Sequence, residues 1–194
     1  MNRKWLVGGV AAFLAIAAVL ALVVGGVVGR SIVPSPAPDP APSTTRITDT
    51  LTDVSIAYPA TWVQRMSKDQ AVRLVASSRD ASAAVSVSVR KSDLEPVTAD
   101  SLPIVRPLTD DLLRQDDRIR ALPEPVAVTV DGLPGYRYTY IYRQAGGEGA
   151  HVHYFLFKDE RLVQIVLQAV PASKLPALEK TFDRVAASFR AGRS

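Results

Sequence analysis

Hydrophobic and polar positions divide the chain into three stretches of different physical character. Residues 5–29, WLVGGVAAFLAIAAVLALVVGGVVG, contain no charged side chain, with Arg3 and Lys4 before them and Arg30 after. At the helical rise, roughly 20 apolar residues cross the hydrocarbon core of a bilayer. There only a continuous helix satisfies every peptide group internally. The pattern predicts a cytoplasmic stub and one transmembrane helix in residues 1–30. Residues 31–45, SIVPSPAPDPAPSTT, alternate proline with small residues, which opposes helix and sheet and favours extended polyproline II. They predict a semi-rigid linker of ~3.1 Å per residue. From 46 to 194 the runs shorten and alternate, and one extracytoplasmic domain is expected there.

Within that domain the period is mostly two. Strands are predicted over 46–51, 54–58, 62–66 and 71–77, with a turn at Arg79-Asp80. The clearest is 83–91, where Ala83, Val85, Val87 and Val89 take one face and Ala84, Ser86, Ser88 and Arg90 the other, the mark of a half-buried antiparallel strand. Residues 125–131, 135–143, 150–158 and 161–170 read as four more, joined by Gly132-Leu133-Pro134, a glycine-rich loop over 144–149 and Asp159-Glu160. Short turns between such runs make hairpins and an antiparallel meander.

Two regions change period. Thr109 reads as the cap of a middle helix with Asp110 and Asp111 in its first turn, Leu112, Leu113 and Ile119 inward, and Arg118 and Arg120 near its end; the carboxylates suit the positive helix terminus. Pro103 and Pro107 argue for irregular chain before it. Near the C-terminus, Ser173 is the expected cap of a helix whose Leu175, Leu178, Phe182, Val185 and Phe189 form one apolar stripe. Lys174, Glu179, Lys180, Asp183 and Arg184 fill its wet side, and Gly192 is the expected stop.

Charge and cysteine content narrow the setting. Two basic residues before the span and one just after it favour a cytoplasmic N-terminus and an outside domain. A cleaved secretory signal is the alternative, with a small-residue site near Ser35 to Ala37; such signals have an apolar core of about 7–15 residues, shorter than this one. No cysteine is present, which excludes disulfides and lipidation on cysteine. Without Arg3, Lys4, Arg30 and Asp39 the chain keeps 20 basic and 18 acidic residues. No basic cluster with interleaved aromatics is seen, so nucleic acid is not an expected partner.

Four tyrosines, Tyr136, Tyr138, Tyr140 and Tyr142, fall on one side of one strand. Such a strip either packs beneath a helix or lines a ligand surface, and these four are the candidate ligand-binding residues. His151 and His153 share a strand face, yet two imidazoles are too few for an ordinary zinc site, and no spacing identifies a further ligand. Asp110/Asp111 and Asp116/Asp117 read as solvated helix positions. There is no G-x-S-x-G, and Gly146-Gly147-Glu148-Gly149 lacks the lysine and helix of a phosphate loop. No catalytic residue, metal or cofactor is expected.

Two local patterns carry a resemblance: Val54-Ser-Ile-Ala-Tyr58-Pro59-Ala-Thr-Trp62, and Val130-Asp-Gly132-Leu-Pro134-Gly-Tyr136-Arg-Tyr138 followed by hairpins and a closing helix that ends Ala187-Ser188-Phe189-Arg190. In this order they resemble PsbP-like domains and the actinobacterial LpqN-type envelope proteins, over about residues 46–191. The resemblance implies an α+β fold, an α/β/α sandwich around an antiparallel sheet. It implies accessory or binding roles and transfers no functional residue. The chain departs from LpqN-type lipoproteins in lacking the lipidated cysteine. The expectation is a membrane-anchored, non-catalytic module of the bacterial envelope whose partners are the lipid bilayer and another envelope protein. The alternative is a lipid or small-ligand carrier with a cleft walled by the tyrosines.

Overall fold

The computed structural model describes residues 43–120, 122 and 124–192. The expected transmembrane helix and almost all of the linker lie outside the described residues. Among those described, no helix is long and apolar enough to cross a membrane.

Ten strands and two helices follow one another as β1 (Thr44–Asp49), β2 (Val54–Pro59), β3 (Val63–Gln64), β4 (Val72–Ser77), β5 (Ala83–Lys91), α1 (Leu102–Arg114), β6 (Val126–Val130), β7 (Leu133–Gln144), β8 (Gly147–Lys158), β9 (Arg161–Ala169), α2 (Leu175–Ala187) and β10 (Arg190–Ala191). Seven strands form one antiparallel sheet in the order β3-β4-β5-β9-β8-β7-β6, and β1-β2-β10 form a smaller one. The long sheet is two-sided because its strands alternate. On its first face Val85, Val87, Val152, Tyr154, Ile165 and Leu167 meet Phe182, Val185 and Phe189 from α2 and its end, and Ile47 and Ile56 from the small sheet. On its second face Tyr136, Tyr138, Phe155, Phe157 and Leu162 meet Leu102, Val105 and Leu113 of α1. Both cores are built from buried side chains between Ile47 and Phe189, so the domain contains its own hydrophobic cores.

The architecture is α+β with helices on opposite faces of an antiparallel sheet, as expected, but the first face is shared between α2 and a second sheet. That sheet is the β1–β2 hairpin, paired from Thr44–Pro59 to Asp49–Val54, and the chain after α2 adds a short third strand to it. Arg190 and Ala191 pair with Ser55 and Val54, and the Ser188 hydroxyl donates to Ala57 O at 3.0 Å while accepting from Ala57 N at 2.8 Å. The last helix is thereby latched to β2. The expected stop at Gly192 falls instead where a Cβ would collide with Asp53.

Several local expectations are corrected. The middle helix begins at Leu102, not at Thr109. Pro103 sits in its first turn, where a missing N–H costs nothing, and Pro107 is tolerated inside it at the loss of one helical hydrogen bond. Asp110 and Asp111 therefore fall in its second half. Ser173 lies in a short 3-10 turn over Ala172–Lys174 and makes no side-chain cap. The expected loop over 144–149 shrinks to a tight turn, since β7 runs through Gln144 and β8 starts at Gly147. Gly146 and Gly147 supply the positive φ that this turn demands, at +92° and +139°.

Candidate functional site

The second face of the long sheet gathers most of the domain's buried polar side chains. Strand parity puts Tyr136, Tyr138, Tyr140 and Tyr142 of β7 on that face, and cross-strand register sets Tyr136 beside Phe155, Tyr138 beside His153 and Tyr140 beside His151 of β8. The next strand, β9, contributes Gln164 and Gln168, and β5 contributes Ser86 and Ser88. All four tyrosines are at most 6 % exposed. The rings form a continuous run: Tyr138 meets Phe155 edge-on at 5.6 Å, Phe155 stacks on His153 at 4.0 Å, and His151 lies against Tyr142 at 4.1 Å.

The hydroxyl tips are spent on two different tasks. Under α1, Tyr136 donates to Leu102 O at 3.1 Å, and Tyr138 donates to Asp110 Oδ1 at 2.7 Å while touching Thr109 Oγ1 at 2.5 Å. Asp110 is thus buried and bonded, not solvated as its sequence position implied; Arg106 and Arg114 stand 3.6 and 3.8 Å from its other oxygen. Asp116 is not a solvated carboxylate either, since Arg118 Nε and a terminal guanidinium nitrogen grip it at 2.7 Å each. Asp111 and Asp117 do face water.

Beyond the helix, Tyr140 joins the two histidines. Its hydroxyl lies 3.0 Å from His153 Nδ1 and 3.2 Å from His151 Nδ1, and His153 Nε2 lies 3.0 Å from Gln164 Oε1. One amide orientation fixes every proton in this chain. With Gln164 presenting oxygen, His153 must carry its proton on Nε2 and accept at Nδ1 from Tyr140. The single phenolic proton is then used, so His151 must donate from Nδ1, and its Nε2 is left as a bare lone pair. No group stands in hydrogen-bonding position at that atom, or at Gln164 Nε2 or Ser88 Oγ. The Gln168 side chain beside His151 interacts with the ring without meeting this need.

Burial governs the electrostatics. Desolvation holds His151 down to about 4, with Gln168 opposing, and His153 down to about 3, where the neighbouring His151 adds to the effect. Both rings are neutral at pH 7. Burial raises Tyr138 and Tyr140 and pushes Tyr142 up to about 12, so no tyrosinate is at hand as a base. Three of the four imidazole nitrogens are already bonded, and among the described residues no three His, Cys, Asp or Glu converge to hold a metal. The arrangement does two things: Tyr136 and Tyr138 tie α1 to the sheet, the latter through the ion-paired Asp110, and the Tyr140–histidine–Gln164 network joins β7, β8 and β9 through neutral, directional contacts.

Sequence parity located the tyrosines and histidines but missed Gln164, gave Ser88 a face without a role, and misassigned Thr109 as a helix cap and Asp110 as a solvated carboxylate. The signal for Gln164 was present, as a polar residue at the alternating inward position of Leu162, Gln164, Val166 and Gln168.

No family model matches the chain, and no curated protein matches it by sequence. Solved structures do match by shape. The cyanobacterial PsbP (CyanoP) of Synechocystis superposes with a TM-score of 0.55 at 19% identity, over 81% of this chain and 98% of that one. The fold is PsbP-like. LpqN of Mycobacterium tuberculosis, described as involved in cell envelope biogenesis, matches with a TM-score of 0.56 at 10% identity, over 78% of this chain and 91% of its own. The yeast Ran-binding protein Mog1p matches with 0.54 at 10% identity, over 78% and 96%. At such identities the PsbP-like likeness concerns the backbone, and the buried network rests on this chain's own side chains.

Proposed function

We propose that the chain is a membrane-anchored, non-catalytic binding or accessory module of the bacterial cell envelope. Residues 1–30 form the anchor with the N-terminus in the cytoplasm, the proline-rich stretch that follows is the spacer, ending before β1 at Thr44 and not at residue 45 as expected, and the PsbP-like domain lies outside and engages another envelope protein. The observation that carries the non-catalytic reading is the spending of the best-placed chemical groups on internal bonds: three of four imidazole nitrogens and all four tyrosine hydroxyls have partners within the domain. The anchor reading rests on the uncharged run at 5–29, and the envelope setting is supported by the fold shared with LpqN. Crosslinking in intact membranes followed by affinity capture of the full chain tests the partner. Enrichment of one envelope protein is expected, and its absence under conditions that capture a known complex counts against the reading. Protease added to spheroplasts tests orientation; a fully protected domain contradicts an outside location.

A second reading, a lipid or small-ligand carrier with Tyr136, Tyr138, Tyr140 and Tyr142 as wall, is favoured by the unmet polar atoms of His151, Gln164 and Ser88 on the same sheet face. Native mass spectrometry of the purified chain decides it, since a carrier retains a bound small molecule and a plain module does not.

A further inference from the structure

The place where the tether enters the domain is fixed by a hydrogen bond. Ser43 O accepts from Ala60 N at 2.9 Å, at the base of the loop that links β2 to β4. Trp62 N closes a turn on Pro59 O at 2.9 Å, β3 pairs with Ala76 and Ser77, and Arg65 N donates to Val75 O at 2.8 Å. The loop over 60–68 is therefore a shaped surface beside the tether. It is apolar and basic at once. Of the five large apolar side chains that stand exposed among the described residues, two are here: Met66 at 96 % and Val63 at 36 %. Trp62 is half-buried, with part of its ring on the first core. Arg65 and Lys68 are exposed and form no ion pair among the described residues, whereas Asp69 is neutralised by Arg90 at 2.9 Å.

An apolar cluster with a tryptophan and flanking cations is what an interfacial lipid contact requires. We propose that residues 60–68 form a membrane-surface contact in which Trp62, Val63 and Met66 enter the headgroup boundary and Arg65 and Lys68 meet anionic lipid headgroups. The inference rests on the anchor reading of residues 5–29. With that segment in the bilayer, the proline-rich spacer keeps Ser43 within about 40 Å of the surface at ~3.1 Å per residue. The loop next to Ser43 then samples the headgroups at high effective concentration, so a contact too weak to recruit a free protein can orient a tethered one. The domain then rests on the bilayer instead of standing off it.

The test uses the full chain carrying Trp5→Phe, which leaves Trp62 as the single tryptophan of the two in the sequence. It is reconstituted in phosphatidylcholine–phosphatidylglycerol vesicles with plain or dibrominated acyl chains, and flotation reports insertion separately. Brominated chains should lower Trp62 emission relative to plain chains, as for a ring inserted at the headgroup boundary. Adding Val63→Asp and Met66→Asp should abolish the quenching, with the circular dichroism spectrum unchanged because both sites are exposed. Adding Arg65→Gln and Lys68→Gln should remove its dependence on phosphatidylglycerol. Unquenched Trp62 in a chain that floats overturns the surface contact and leaves the anchor standing; the loop then faces water or a protein partner. A chain that does not float overturns both.

Discussion

Lowering the pH should destabilise this domain through its two buried histidines before the lowered carboxylates Asp49 and Asp116 lose their contribution. In the native state His151 and His153 are buried and neutral, with values held at about 4 and 3, whereas the unfolded chain binds a proton on each near the ordinary 6.5. Protons thus favour the unfolded state. Stability is level above about pH 7, begins to fall below 6.5 and goes on falling towards the folded values. Between 6.5 and 5 each ring costs about 2 kcal/mol, at 1.36 kcal/mol per pH unit, so the pair costs about 4 kcal/mol. Asp49 and Asp116, which are lowered, lose their contribution only as the pH falls below the ordinary carboxylate value of 3.8, so they do not blur this window. The assay is urea unfolding of the domain from Ser43 onward at pH 7.5 and 5.0. A loss near 4 kcal/mol is expected, and the His151→Gln/His153→Gln double variant should show almost none, whatever its absolute stability. A wild-type loss under about 1 kcal/mol would refute the claim that both rings are dry and neutral in the fold.

Three substitutions probe the packing. Phe182 is 1 % exposed in the first core, and Phe182→Ala should cost roughly 3–5 kcal/mol by transfer and cavity terms, measured by urea midpoint; a loss under 1 kcal/mol would show that α2 does not close that core. Tyr138→Phe removes the proton that Asp110 accepts at 2.7 Å, and should cost about 1–3 kcal/mol in the same assay with no change in the far-ultraviolet spectrum; a neutral result would mean that water serves Asp110 equally well. Gly149→Ala would drive a methyl group into the Tyr142 ring, and a loss of about 1–3 kcal/mol is expected, with a neutral result indicating that the ring moves aside freely.

Much of the fold was legible because alternation and helical stripes are local. The period of two in 83–91 sorted the side chains of β5 to the right faces, but the expected half-buried strand is buried on both, with Ala84 and Ser88 under the second face; the spacing of Phe182, Val185 and Phe189 identified the side that closes the first core. Thr109 shows where such reading fails. A threonine followed by two aspartates looks like a helix start, yet Tyr138 waits for that threonine and the first aspartate across the second face, so the helix extends back through two prolines to bury them. The candidate site was half legible for the same reason. Parity put the tyrosines on one face and the histidines on one face, but the meeting of Tyr140 with both rings depends on the register of β7 against β8, and the role of Gln164 depends on a third strand.

By itself the sequence determined the uncharged run at 5–29, the proline-rich stretch after it, the strand faces and the amphipathic last helix, because each depends on residues a few positions apart. Only the tertiary structure decided that α1 covers Tyr136 and Tyr138, that β10 joins β1 and β2 in a second sheet, and that the histidines are buried and neutral. Periodicity tells a side chain which way to point; what it meets there is set by chain that returns from far along the sequence, and burial exists only once that chain has arrived.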